Sequence, residues 1–290
     1  MTRWVGLGAL VACGLAMTGL AAQQPQAQEL QIEKVADNLY VILGNGGNTA
    51  AYVSSNGVVL VDTKLANNGQ KILDKVKSVS DKPITHIINT HTHGDHVGSN
   101  DFFAPTVDIV VHENTAANMN RMEAFKDPAK KHGLPDRTFK DKLTVLSGND
   151  AIDLFYFGPA HTSGDAFVVF RTLRVMHAGD AFPGPQLPIM DGNNGGSGVS
   201  YPDTLAKAGK AILGNVDRVI PGHSAVTTPQ AFRDYTEFIT TFVNSITAAA
   251  KSGKTPEQAL AEYKPAEKFA SYATQRGKAN VDQIYKEIQK

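Results

Sequence analysis

Three histidines and one aspartate fall within six consecutive residues of the stretch "INTHTHGDHVGSN": His91, His93, Asp95 and His96. The cluster follows directly on the apolar run "ITHII", so a strand would deliver it to its own end. On an extended segment residues i and i+2 point to the same side, which lets His91 and His93 reach one cation. Asp95 and His96 lie beyond Gly94, where the backbone can turn and aim two more ligands at a second cation. Any one of these histidines alone would be an ordinary surface or hydrogen-bonded group. A metal site requires further donors at comparable places along the chain.

Such donors recur. His161 in "GPAHTSGD" follows the strand candidate "LFYF", Asp180 in "MHAGD" follows "RVM", and His223 in "IPGHS" follows "RVI". Each stands where an apolar strand meets a Gly- or Pro-containing turn, the place at which a rigid scaffold presents site residues. Five of the nine histidines are accounted for in this way. His86 within a strand, His112 at a strand end, His132 in "KKHGLP" and His177 near Asp180 are given structural roles.

The chain before the motif reads as a meander: "LYVIL", "TAAYVSS" and "GVVLVDT" are separated by the turn sequences "GNGGN" and "SNG". "NGQKILDKVKSV" then carries Ile72, Leu73, Val76 and Val79 at helical spacing behind an asparagine in capping position. "VDIVVH", "AIDLFYF", "AFVVFRT", "RVMHAGD" and "DRVIPGH" are further strands, with helices over 202–213 and 230–250 and short charged helices from Thr255 onward. Early strands without helices between them favour two sheets with helices outside over one parallel α/β sheet. The expectation is an α+β domain over residues 23–290.

The first 28 residues, "MTRWVGLGALVACGLAMTGLAAQQPQAQ", place one Arg before an apolar run rich in Gly and Ala and then a Gln-rich tail. That pattern predicts an export signal over residues 1–22, cut near Ala21 or Ala22, with a periplasmic or secreted mature protein and no membrane span after processing. An uncleaved anchor over 4–22 is the rival reading, since the run is long enough to span. A lipoprotein anchored at Cys13 in "LVAC" is a further one, disfavoured because the apolar run continues well past it. Cys13 is the only cysteine, so the processed chain has neither disulfide nor thiol, and any metal must be held by His and carboxylate. With 28 basic and 28 acidic residues and no Lys/Arg run, nothing gathers nucleic acid. The sequence carries no signature of an oligomeric state.

The H-x-H-x-D-H motif of His91, His93, Asp95 and His96, followed in order by His161, Asp180 and His223, resembles the metallo-β-lactamase superfamily. "GVVLVDT", ending near Asp62, resembles the family's early strand, so the likeness covers nearly the whole processed chain. It implies a four-layer αβ/βα sandwich of two mixed β-sheets flanked by helices, with the metals in the cleft between the sheets. It implies that His91, His93 and His161 hold one divalent metal ion, Asp95, His96 and His223 a second, and that Asp180 bridges them. Zinc is the first expectation, with iron or manganese as alternatives on the same donor set. A glutamate typically replaces the second motif histidine in flavodiiron members, so His93 argues against a role in oxygen or nitric oxide reduction. A bridging aspartate resembles glyoxalase II and the acyl-homoserine lactonases; the latter usually place a tyrosine shortly after it, where this chain has Phe182 and Pro183.

Two such cations hold a water, lower its pKa to near neutrality and stabilise an oxyanion, while Asp95 orients the nucleophile or shuttles a proton. The resemblance therefore implies a hydrolase acting on a small ester, thioester, lactone or β-lactam, with phosphoesters open to the same metal pair. The rival from another class is a non-catalytic metal-binding periplasmic protein. A complete donor set argues against it, and export with neutral charge argues against a nuclease. Two segments are candidate cleft walls: 182–198, with Leu187, Ile189 and Met190, and 118–139, with Met119, Met122 and Phe125, the last three also spaced for a helix face.

Overall fold

The computed structural model describes Met1 and residues 29–289. Apart from Met1, the predicted leader over 1–22 lies outside these described residues. Among them no helix is long and apolar enough to cross a membrane.

The first four strands, β1 (Gln31–Ala36), β2 (Leu39–Leu43), β3 (Thr49–Val53) and β4 (Val58–Val61), pair in antiparallel succession; the turn signals predict the last three, and β1 is an addition to the expected meander. Helix α1 (Gly69–Lys77) then crosses to β5 (Ile84–Ile88), which lies parallel to β4. The short helix α2 (Gly94–Val97) begins inside the motif. Strand β6 (Asp108–His112), helix α3 (Glu113–Met119) and strand β7 (Arg137–Phe139) complete a mixed sheet ordered β1-β2-β3-β4-β5-β6-β7. The second sheet contains β8 (Lys142–Val145), β9 (Ile152–Phe155), β10 (Phe167–Phe170), β11 (Val175–Gly179) and, after helix α4 (Tyr201–Ile212), β12 (Arg218–Pro221). Its order is β12-β11-β10-β9-β8, with only the β11–β12 pair parallel. Helices α5 (Pro229–Lys251), α6 (Pro256–Glu262) and α7 (Gly277–Ile288) follow.

Side-chain alternation separates three apolar layers. On β4, Val59 and Val61 point inward to meet Val168, Phe170 and Ile220 of the other sheet, while Val58 and Leu60 point outward to Ile72 and Val76 of α1. A strand buried on both faces must be apolar throughout, which explains the unbroken run "GVVLV". The outer face of the smaller sheet packs on α4, α5 and α7, where Phe232, Tyr235, Ile239, Phe242 and Ile246 repeat at three- and four-residue steps along α5. Thr228 caps that helix through Ala231 N, and Pro229 occupies its first turn. Helix, sheet, sheet and helix make the four layers implied by the resemblance.

The structure revises three local expectations. Asn68 sits at the start of α1 but makes no capping bond there; its amide turns back to the carbonyls of Leu65 and Ala66. Met119 and Phe125 are buried against the outer face of the larger sheet, so core packing holds for them and the cleft-wall reading does not, although α3 ends at Met119 and Phe125 lies in a separate 3-10 turn rather than on the same helix face. Leu187 and Met190 likewise enter the core beside α7, leaving Ile189 alone of its trio exposed.

Candidate metal centre

All seven predicted donors come together at one edge of the sandwich, beyond the carboxyl ends of the strands. His91, His93, Asp95 and His96 follow β5, His161 follows β9, Asp180 follows β11 and His223 follows β12. Their ligand-type atoms form three overlapping groups, each with all atoms within 4.8 Å: His91/His93/His161, His91/His96/Asp180 and Asp95/His96/His223. His91, His96 and His161 are buried; His93, Asp95 and His223 retain side-chain exposures of 20%, 30% and 26% and mark the open side.

Four histidines each commit one ring nitrogen to an oxygen and turn the other inward. His161 Nδ1 donates to the carbonyl of Ile189 at 2.6 Å, and a carbonyl can only accept, so Nε2 keeps its lone pair. His93 Nε2 donates to Asp191 Oδ2 at 2.7 Å, leaving Nδ1 as the inward atom. His96 Nδ1 meets Asp62 Oδ2 at 2.7 Å. His91 Nδ1 lies 3.0 Å from Thr90 Oγ1, whose own proton goes to Asp62 Oδ2 at 2.7 Å. Outer partners of this kind fix the tautomer and orientation of metal-ligating histidines.

The inward atoms are then short of partners. His93 Nδ1 and His161 Nε2 face each other at 2.8 Å, an arrangement of two lone pairs that a cation between them resolves. His91 Nε2 and Asp180 Oδ1 are buried with no hydrogen-bond partner among the described residues. Asp180 straddles the groups: Oδ1 lies 3.3 Å from His96 Nε2, and Oδ2 lies 3.6 Å from His161 Nε2 and 3.2 Å from His223 Nε2. A buried donor set of this chemistry, left unsatisfied by protein, fits divalent metal ions.

Electrostatics divides the cluster. Burial drives His91 well below the ordinary imidazole range and His161 down to about 4. For His96 burial acts in the same sense, but the charges of Asp180 and Asp62 overcome it and raise the group well above that range. His223 is raised to about 9, its burial outweighed by Asp180 and Asp95. Asp95 is held down at about 2, since its bond to His223 and the charge of His96 outweigh its burial. Asp95 Oδ2 stands 3.3 Å from His223 Nε2 at the mouth.

Two glycines permit this crowding. A Cβ at Gly47 would lie 2.2 Å from His96 Cε1, and one at Gly222 would lie 1.9 Å from Asp180 Oδ1. The loop 44–48 is tied down around Gly47: its N–H donates to the Asp95 carbonyl, and its own carbonyl accepts from Lys64 Nζ at 2.8 Å. Lys64 is fully buried, also donates to the Ile42 carbonyl, and is lowered to about 7 by burial against the opposing charges of Asp62 and Asp95. Asn48 Nδ2 spans the carbonyls of Pro221 and Ser224 on either side of His223.

Asp191, Lys64, Asn48 and Thr90 were not singled out by the sequence, whereas Asp62 was. Asp191 lies within "MDGNNGGSG", a stretch whose glycines and asparagines signal only a turn. The remaining histidines keep structural roles: His112 caps α3 through Asn114 N and stacks on Tyr156, and His177 accepts from Gly179 N inside β11.

Comparison with known proteins places this geometry in a family. The chain is 29% identical over 178 residues to the type 2 metallo-beta-lactamase of Elizabethkingia meningoseptica, covering 57% of this chain and 67% of that protein. It is 30% identical over 164 residues to the 2,4-dinitroanisole O-demethylase subunit alpha of a Nocardioides species, covering 54% and 48%. It thus spans between about half and two thirds of the length of these curated relatives. Among solved structures, the stereoselective inverting sec-alkylsulfatase Pisa1 from Pseudomonas sp. superposes with a TM-score of 0.75 at 14% identity, over 89% of this chain and 50% of that one. The sequence model described as "Metallo-beta-lactamase superfamily" matches residues 43–223, from the end of β2 through His223, and the chain belongs to that superfamily, whose members are mostly metal-dependent hydrolases.

Proposed function

We propose that the protein is an exported dinuclear metallohydrolase acting on a small carbonyl substrate: an ester, thioester, lactone or β-lactam. The observation that carries this reading is the inward convergence of unsatisfied donors, above all the orphaned His91 Nε2 and Asp180 Oδ1. His91, His93 and His161 would hold one ion, Asp95, His96 and His223 the other, and Asp180 both. Zinc is the expected metal. Bound there, two divalent ions would supply a nucleophile from water near neutral pH and polarise the scissile group.

The chain's own residues account for the remaining requirements. Asp95 is ionised at any working pH because its pKa is held at about 2, so it acts as an acceptor that fixes the proton of an incoming water and aims its lone pair. Asp62 anchors His96 and, through Thr90, His91, so one buried carboxylate orients two inward histidines. The partly exposed His93, Asp95 and His223 define the side from which substrate arrives, with Ile189 exposed nearby on the His161 side. The leader-like first 22 residues support export.

Metal content of the purified protein, measured together with hydrolysis of a chromogenic cephalosporin, a lactone, a thioester, a phosphodiester and a secondary alkyl sulfate, tests the reading. About two metals per chain and turnover of one carbonyl class are expected. A folded sample that takes up no metal would overturn it. Turnover of the sulfate or phosphodiester alone would replace the carbonyl assignment.

A further inference from the structure

We propose that Asn280, on the C-terminal helix α7, is a positioning residue for the His91/His93/His161 group, acting through the loop that orients His161 and His93. The inference rests on the dinuclear reading above and adds a determinant from a part of the chain that supplies no donor.

Asn280 is 1% exposed, and a buried amide is costly unless both its ends are bonded. Both are bonded, and to one place: Oδ1 accepts from Met190 N at 3.2 Å and Nδ2 donates to the Pro188 carbonyl at 2.9 Å. The residue bracketed between them is Ile189, whose carbonyl takes the His161 Nδ1 proton. One step beyond Met190 stands Asp191, which takes the His93 Nε2 proton and whose own N–H donates to the His161 carbonyl at 2.9 Å. Glu287, two turns along α7, holds the far end of the loop by accepting from Ser197 Oγ at 2.6 Å and Gly198 N at 2.9 Å.

Asparagine is a weak helix former and a poor core residue, so core filling alone would be served better by leucine at this position. The amide is explained by what it holds. Helix α7 lies wholly beyond residue 223, where the family match ends, so this support is a property of the chain outside the matched region. The Asp95/His96/His223 group takes its outer contacts from Asp62, Asn48 and loop 44–48, and among the described residues none of these hydrogen-bonds to α7.

The test is a zinc titration of the purified, demetallated protein against a competing chromogenic chelator. Cobalt(II) absorption spectra accompany it, assigned to each group with His161→Ala and His223→Ala as references. For Asn280→Leu the expected result is about 10–100-fold weaker binding at the His91/His93/His161 group, the range found when outer partners of metal ligands are removed, with the other group unchanged. Val281→Ala trims the buried face of α7 on the side of α6, beside Leu260, and removes no hydrogen bond to the loop, so it should keep both affinities. Unchanged binding in Asn280→Leu, or an equal loss in Val281→Ala, would overturn the inference while leaving the dinuclear reading intact. Absence of zinc from the unsubstituted protein would overturn both. Should Asn280→Leu not fold, Glu287→Gln carries the test: a weakening confined to the same group supports the proposal, and wild-type affinity there contradicts it.

Discussion

His161 and His96 each turn Nε2 inward and give Nδ1 to an oxygen, but the oxygens differ in charge and in origin. His161 leans on the neutral carbonyl of Ile189, in a loop fastened to the C-terminal helix; His96 leans on the carboxylate of Asp62, behind β4. Burial therefore prevails at His161, which falls to about 4, while carboxylates prevail at His96, which is raised. Metal-free, the first group meets a cation with His91 and His161 already neutral, whereas the second must surrender protons from His96 and His223. The two halves of the centre share a ligand chemistry and differ in how it is poised, so their affinities can be tuned separately.

The largest expected effect on this comparison belongs to a residue of the second half. Asp95→Asn should leave most of the metal bound and reduce turnover by about 10²–10⁴-fold, the usual scale for a lost acid–base group. Steady-state rates with metal analysis on the same sample decide it, and normal turnover would remove Asp95 from the mechanism. Next, His223→Ala should lose the second ion and keep the first; equal loss of both in an elemental analysis would contradict the division into two groups. Asp191→Asn is the mirror case, with about 10–100-fold weaker binding at the first group alone.

The last effect is graded. His223 holds its proton up to about pH 9 in the metal-free protein. A raised pKa means that the proton competes with the cation at every pH below that value. Uptake by the second group should then weaken by at least about tenfold per unit as pH falls from 9 toward 6, one proton being displaced from His223 and a further one from His96. Over the same interval His161, at about 4, has no proton to lose. Titrations at pH 6, 7, 8 and 9 that show two parallel affinities would erase the distinction.

The candidate donors were legible in the sequence because each stands at or shortly beyond the end of an apolar strand, so a local pattern pointed to all seven. The same pattern located α5 and the apolar strands from β2 to β6 and from β9 to β12, whereas β1 escaped although it is six residues long, because Glu33 and Lys34 stand side by side in it and most of its residues are exposed or half-exposed. Strands β7 and β8 escaped because they are three and four residues long and mostly exposed or half-exposed, with too little alternation to register. Asp191 and Asn280 escaped for another reason. Their roles depend on contacts 98 residues away at His93 and 90 or more away at Pro188 and Met190, and a lone Asp in a turn or a lone Asn in a helix carries no local mark of such a partner. Lys64 is similar: its charge reads as surface, and only the fold shows it sealed beneath Gly47.

That the donors lie on both sheets also sets an order of events in time. His91, His93, Asp95 and His96 belong to the larger sheet, while His161, Asp180 and His223 belong to the smaller one and lie up to 127 residues downstream of His96. A chain still emerging from its synthesis, or one held unfolded for passage across a membrane, offers only the first four. The full grip closes after β12 has paired with β11 and the two sheets have met across Val61 and Ile220, a distant pairing that is reached slowly. On the dinuclear proposal, loading with metal is then a late step of maturation, set by when the two sheets meet.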